Sequence, residues 1–522
     1  MAIPRSNIKK ITVKNFKFFQ QPLEFELADN HLLLYGENGS GKSSLYWALY
    51  TLLECANKED ARQIQKYFNP TNDERLTNIF LTPGNSDWID SEIKIELIDN
   101  SVFSVNFADT SINSNGDAQA ANYASDFLNY KMIFQLQNFA HSEDINIFNY
   151  FSMYVLPYVK FAPVKYWMKD ENEQPTVEKE TENADKIWQF VIAGPPKTGR
   201  TKKRTNRYPI KKEPDYEIYE NIVNGFKVEL ESLLTYINTQ GNPILTAFGY
   251  DFTFKLVLQE INPFSISGNN FKPPKYAVRL QLPTFSGKTG IHKPHTFLNE
   301  ARLSALGLAI RFALLNKRLQ DSKLKIAVLD DFMISLDMQN REVALNYIFT
   351  YIAPNYQILF LTHDMNLYEF TAYHLNKIGL TNWVKFKMFE DNNGADNLFP
   401  KIIEDKGLLN KAAALFRERD YPTSASVLRK ATEKFCKNYL TSQEQLGGNY
   451  MPLQLDGMLI KVLQKARLNA LPHVLITDLQ SYKDNIMNPS VHYDVETPQF
   501  NVELNKAIMN LEQLSQLTGI SI

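Results

Sequence analysis

The residues with the clearest chemistry in this chain are Gly36 to Ser44, GENGSGKSS, which fit the spacing GxxxxGK[ST] at every position. Gly36, Gly39 and Gly41 let backbone N–H groups curl around phosphate oxygens, with Glu37, Asn38 and Ser40 between them. Lys42 is then placed to reach β- and γ-phosphates and the Ser43 hydroxyl to bind Mg²⁺, while Ser44 continues into a helix. Such a loop needs an acidic partner at the end of a neighbouring strand. IAVLDD at 326–331 supplies two carboxylates after four apolar residues. Asp330 is expected to hold Mg²⁺, directly or through water, and Asp331 to orient the attacking water as general base. The chemistry implied is binding and hydrolysis of a nucleoside triphosphate.

Ser43 and Asp330 are 287 positions apart, so a fold has to join them. His31–Tyr35 is an apolar run of buried-strand length leading into the glycine loop, and Leu45–Cys55 has helical spacing beyond it. Alternation at Ile11, Val13 and Phe16, then Leu23–Leu27, predicts a short opening meander, and Ile93–Phe107 predicts a hairpin. Ile326–Leu329 and Ile358–Leu361, separated by a helix, carry the βαβ signature of a parallel sheet, with further strands at 252–258, 278–282 and 384–388. Leu298–Leu319 reads as helical. Seven prolines between Pro157 and Pro214 predict an irregular insertion. Apolar positions from Ile218 to Ile237 predict an amphipathic helix of about six turns, without the sustained heptads of a long coiled-coil arm. The polar stretch 391–397 precedes a tail that reads as all helix. The fold class is therefore α/β. The expected domains are an N-terminal lobe at 1–140, an insertion at 141–240, a C-terminal lobe at 241–400 and a helical domain at 401–522.

Composition narrows the class. The chain has 522 residues, 44% hydrophobic and 22% charged, which predicts several packed modules and excludes a fibre or a disordered tail. A formal net charge of -2 rules out a basic nucleic-acid wrapper, so a nucleic-acid site has to be a local patch. Cys55 and Cys436 lie far apart in helical sequence, unlike a disulfide framework or cysteine zinc site. With no apolar run of spanning length and no signal-peptide core, the expectation is a cytoplasmic protein without membrane contact.

The order of phosphate loop, signature-like helix, acidic strand, Ser-Leu-Asp loop and histidine resembles the ABC-type ATPase heads of the SMC and RecF class. The likeness covers 8–65 and about 295–366. It implies a P-loop ATPase head of two lobes, ATP and Mg²⁺ as ligands, and a homodimer with ATP sandwiched between heads. By that resemblance LNEAR at 298–302 stands at the signature, with Asn299 in place of its serine; Asp337 belongs to the dimer-facing loop, His363 is the switch histidine, and Gln135 or Gln137 is the metal-side glutamine. Two departures, Glu300-Ala301 for the signature glycines and Asp331 for the usual glutamate, imply slow hydrolysis. The segment LNEARLSALGLAIRFALL with a small arm is also similar to ATPases of prokaryotic anti-phage systems of the Septu type and retron-linked forms. Those pair the ATPase with a separate toxic effector, commonly an HNH nuclease, which implies a regulatory role. The alternative is a RecF-like DNA-repair clamp.

Two further segments bear on partners. Lys197, Arg200, Lys202, Lys203, Arg204, Arg207, Lys211 and Lys212 could contact DNA or structured RNA, with Tyr208 as a stacking partner. NPSVH at 488–492 resembles the end of HEPN-like helical domains, several of which cleave RNA, and implies a second alternative, an ATPase fused to a ribonuclease domain acting through His492, although the arginine of that pattern is missing and Lys483 is the nearest basic residue upstream. The tail is expected to be a docking or dimerisation module.

Overall fold

Apolar runs bounded by turn residues set the strands. A computed structural model describes residues 5–80, 86–136, 145–169, 175–197, 207–291, 293–318, 320–334, 336, 338–392, 398–405, 407–448, 450–468, 471–488, 501–520 and 522. Its strands are β1 (Ile8–Lys14), β2 (Leu23–Glu26), β3 (His31–Gly36), β4 (Glu92–Leu97), β5 (Val102–Asn106), β6 (Asp126–Asn129), β7 (Lys160–Lys169), β8 (Pro175–Asn183), β9 (Phe252–Asn262), β10 (Ser265–Ser267), β11 (Asn270–Lys272), β12 (Lys275–Phe285), β13 (Lys288–Ile291), β14 (Ile326–Asp330), β15 (Gln357–Thr362), β16 (Trp383–Asn392) and β17 (Leu398–Glu404). The chain divides into two compact units, 1–365 with 388–401, and 366–387 with 402–522.

In the first unit β3, β14 and β15 are buried at every residue, which fits strands apolar on both faces. They belong to a six-stranded sheet of order β17-β16-β3-β15-β14-β6. Parallel register sets Leu34 beside Leu361, Leu361 beside Asp330, and Asp330 beside Asn129. The C-terminal ends of β3, β15, β14 and β6 therefore share one edge, the place where open parallel sheets bind ligands. A second sheet, β2-β1-β4-β5, is antiparallel and buries Ile11, Val13, Ile93 and Ile95 from alternating positions. β13-β12-β9 makes a third, also antiparallel.

The described residues of the insertion are more ordered than its prolines predict. β7 and β8 pair as a hairpin, followed by a helix at Ala184–Ala193. The prolines occupy places that regular structure tolerates. Pro175 opens β8, Pro163 lies where the β7–β8 register shifts, and Pro157 and Pro214 sit in the first turns of helices. Aromatic packing supplies the core that counting prolines overlooks, with Trp188 stacked on Phe226 at 5.2 Å and touching Phe148 at 5.1 Å. The following helix, Pro214–Ala247, has 34 residues rather than six turns. It continues past Ile237 because Asn238 and Asn242 each bond in both directions to the β9 backbone, at Leu256 and Phe254. Gly241 lets the helix approach, since a Cβ there would lie 2.6 Å from the Phe254 ring.

The helix Glu300–Leu315 is buried from Leu303 to Leu315 and is joined to β6 through charge. Asp126, at the start of β6, accepts from Arg311 Nε at 2.9 Å and from Arg318 at 2.5 Å, and Arg311 Nη1 reaches the Tyr154 carbonyl at 2.6 Å. All three charged side chains are under 6% exposed. Burial pulls the Arg318 pKa down while Asp126 opposes that shift.

The second unit contains the helices Gly407–Arg417, Tyr421–Tyr439, Leu455–Leu468, His473–Tyr482 and Asn501–Thr518 around a core that includes Leu428, Phe435, Leu459, Leu479, Leu504 and Leu511. Pro422 stands in the first turn of its helix, as expected. Cys55 and Cys436 are buried free thiols, each pushed up to about 12 by burial. Among the described residues no helix is long and apolar enough to cross a membrane. Removing Asp126 strands two buried guanidinium groups, so Asp126→Ala is expected to cost about 3–5 kcal/mol in chemical denaturation. A loss below about 1 kcal/mol would mean that the cluster does not hold this helix to the sheet.

Candidate functional site

The loop from Gly36 to Gly41 turns at the end of β3 and feeds the helix Lys42–Cys55. Gly39 and Gly41 have φ of 90° and 103°, in the left-handed region that favours glycine. Space is short as well: a Cβ on Gly41 would lie 2.9 Å from the Phe18 and Phe19 rings, and one on Gly36 would lie 2.7 Å from Ser40 Oγ. Backbone bonds from Glu37 N to Met388 O and from Ser40 N to Glu37 O fix the loop, and Ser44 Oγ accepts from Phe18 N at 3.4 Å. A helix N-terminus with its N–H groups facing such a loop favours an anion.

Five predicted residues converge on this edge. Lys42 Nζ donates to Asp331 Oδ2 at 2.9 Å and lies 3.8 Å from Asp330 Oδ1. Ser43 Oγ is 3.4 Å from Asp330 Oδ2. His363 reaches Asp331 Oδ1 twice, through its backbone N–H at 2.9 Å and Nδ1 at 2.8 Å. Burial pushes the Asp330 carboxyl up to about 6, against the pull of Lys42, with Asp331 adding to the rise.

The donor set fits a divalent cation held together with phosphates. Asp330 Oδ1 is buried with no hydrogen-bond partner, and so is Ser40 Oγ in the loop. Among the described residues no group of three or more His, Cys, Asp or Glu side chains could hold a metal. The Ser43 hydroxyl and the Asp330 carboxylate are oxygen donors of the kind Mg²⁺ takes in ones and twos, its shell completed by phosphate and water.

Other predicted residues lie elsewhere. Asn299 caps the helix Glu300–Leu315, its side chain accepting from Arg302 N at 3.0 Å, and is exposed. Gln135 ends a short helix after β6 and donates to the Tyr154 hydroxyl at 2.9 Å. Neither has a hydrogen bond to the glycine loop among the described residues. Arg207 is paired with Glu213, its Nη2 2.5 Å from the carboxylate, and Lys197 sits 5.0 Å over the Tyr208 ring. Tyr208 is itself buried and packs on Phe271, so it is not a free stacking surface, a correction to the sequence expectation. Gln137, Arg200, Lys202, Lys203, Arg204, Asp337 and His492 lie outside the described residues.

Sequence reasoning missed the groups that hold the loop after Asp331. Arg341 donates from Nε to Leu336 O at 2.8 Å and from Nη1 to Asp364 at 2.8 Å, clipping that loop beside His363. It missed Glu390 too, whose carboxylate lies against Gly39. The only sequence signal was an arginine early in the helix that follows the acidic pair.

The family model described as the RecF/RecN/SMC N-terminal domain matches residues 7–382. Among solved structures, the chain is similar to an SmcHead bound to the C-winged helix domain of ScpA, at 11% identity over 76% of this chain and 98% of that one, TM-score 0.37. It is similar to an Smc head domain with an extended coiled coil, bound to the C-terminal domain of ScpA derived from Pyrococcus furiosus, at 13% identity over 80% and 100%, TM-score 0.35. It is also similar to the SMC head domain from Thermotoga maritima, at 13% identity over 76% and 98%, TM-score 0.30. No curated protein matches the chain.

The raised pKa of Asp330 sets the sign of a pH effect. Because the fold favours its neutral form, that contribution to stability is complete below the ordinary aspartate value of 3.8 and is lost as pH rises through about 6. Asp330→Asn should therefore match the wild type at roughly pH 4 and exceed it by ~2–3 kcal/mol at roughly pH 8 in denaturant titrations without nucleotide. Equal stability at both pH values would count against burial as the cause.

Proposed function

The chain belongs to the RecF/RecN/SMC N-terminal domain family, an ATPase class of SMC/RecF type, and on that premise we propose that it binds ATP with Mg²⁺, hydrolyses it slowly and works as a nucleotide-switched regulator. The observation that carries this is the convergence of Lys42, Ser43, Asp330 and Asp331 on one sheet edge, with Asp330 Oδ1 left without a hydrogen-bond partner.

Glu37 to Ser44 would cradle the phosphates through loop N–H groups, with Lys42 donating to β- and γ-phosphate oxygens. Ser43 and Asp330 would hold Mg²⁺; when bound, the ion would neutralise the charge that develops on the phosphates. Asp331 would accept a proton from the attacking water, and His363 holds that carboxylate in place through two contacts. An aspartate is one methylene shorter than a glutamate, so the water is held less well and catalysis loses more than affinity. Asn299, exposed at a helix start, and Asp337 are assigned to ATP bound by a second copy, so two heads would close on two nucleotides. Hydrolysis would reopen them by a population shift.

The finer role we propose is control of a separate toxic effector, such as an HNH nuclease, in anti-phage defence of the Septu or retron-linked kind. The signature-helix sequence and the compact insertion, in place of a long coiled coil, support it. Lys197 and the basic residues from Arg200 to Arg207 are the candidate contacts to DNA or structured RNA. A cytoplasmic setting fits the two free buried thiols.

Lys42→Ala tests the assignment directly. ATP affinity measured by calorimetry should fall at least about 100-fold, and ATP should no longer shift the protein to a dimer on sizing. Unchanged affinity would remove the site from Gly36–Ser44.

A further inference from the structure

The Lys42–Asp331 ion pair has a role that the hydrolytic assignment leaves open. Asp331 Oδ2 lies 2.9 Å from Lys42 Nζ, the group assigned to the terminal phosphates, and the two side chains are 10% and 6% exposed. The other carboxylate oxygen is held independently, by the His363 backbone N–H and Nδ1. The residue is held from behind as well, with its own N–H bonded to Leu361 O at 3.0 Å. Its backbone has φ of 51°, left-handed and costly for a residue with a Cβ. A strained backbone is thus retained where it delivers a carboxylate oxygen to the phosphate-loop lysine.

Resting on the ATP-binding assignment, we propose that Asp331 stands in for the terminal phosphate, so that nucleotide binds only by displacing its Oδ2 from Lys42. The electrostatics require an exchange rather than an addition. Asp330 Oδ1 is already 3.8 Å from the same ammonium, and a phosphate arriving beside both carboxylates would set three anionic groups around one buried cation. When the phosphate takes Lys42, Oδ1 stays on His363 and Oδ2 is freed beside the phosphate, where a water would attack. The same contact thus lowers affinity in the empty site and readies the carboxylate once the site fills. Asp331 is an affinity-setting residue as well as the assigned base.

The test measures binding of a fluorescent ADP analogue to the full chain in EDTA, so that neither hydrolysis nor metal contributes. Asp331→Asn should keep the fold, because Asn tolerates positive φ and retains an acceptor for His363. Glu390→Gln is the control, since it removes one negative charge beside the loop at Gly39 without a bond to Lys42. The proposal expects Asp331→Asn to tighten ADP about tenfold, equivalent to ~1.4 kcal/mol, and Glu390→Gln to change it by less than about twofold. An unchanged ADP affinity in Asp331→Asn, or an equal gain in both variants, overturns the exchange and leaves ATP binding standing. A wild type that binds neither ADP nor ATP overturns the ATP-binding assignment itself, and the exchange with it.

Discussion

A buried ammonium determines much of what surrounds it. Lys42 is 6% exposed, and burying a charged side chain is costly unless carboxylates are in contact with it. Its partners, Asp330 and Asp331, are almost 290 residues away in sequence, with 289 positions to Asp331. Joining them requires β3 and β14 to end at the same level. The parallel register does this with β15 between them, and β15 also delivers His363 to the far side of Asp331. Shifting one strand by a residue would carry each acidic side chain to the opposite face of the sheet.

A second charge cluster keeps that edge in place from behind. Asp126 begins β6, and the end of the same strand sets Asn129 beside Asp330. Through Arg311 and Arg318 the strand is tied to the helix that starts at Asn299. The helix capped by Asn299 and the strand next to Asp330 therefore share one buried ionic cluster. Charge in an apolar interior is costly unless paired, so these elements have few alternative ways to pack.

How much of this was legible in the sequence depended on how local each cause is. The geometry of the glycine loop was legible because its glycines, lysine and serine act within one turn of chain, between β3 and the helix Lys42–Cys55. β3, β14 and β15 were legible because strands buried on both faces are apolar without alternation. Arg341 was not, since its partners Leu336 and Asp364 come together only after the βαβ unit closes. Order in the insertion was hidden because prolines were weighed by number rather than position, and because Trp188, Phe226 and Tyr276 are too scattered to show a period. Tyr208 looked like a free aromatic in a basic run, but it packs against Phe271, which comes from a separate hairpin.

The aspartate at 331, where the SMC and RecF resemblance implies glutamate, belongs with the backbone at that position. A φ of 51° is tolerated by Asp more readily than by a longer side chain, because a short carboxyl can bond locally there. The left-handed turn brings a short side chain within reach of Lys42 and His363 together. A glutamate would carry its carboxyl one methylene further, toward a water on the phosphate and away from this double hold. Grip in the empty site and reach in the filled one are thus opposed at a single residue, and the chain has the residue and the backbone that favour grip. On the proposed function, slow turnover and a nucleotide site that resists casual filling would have the same cause, the short side chain and left-handed backbone at 331.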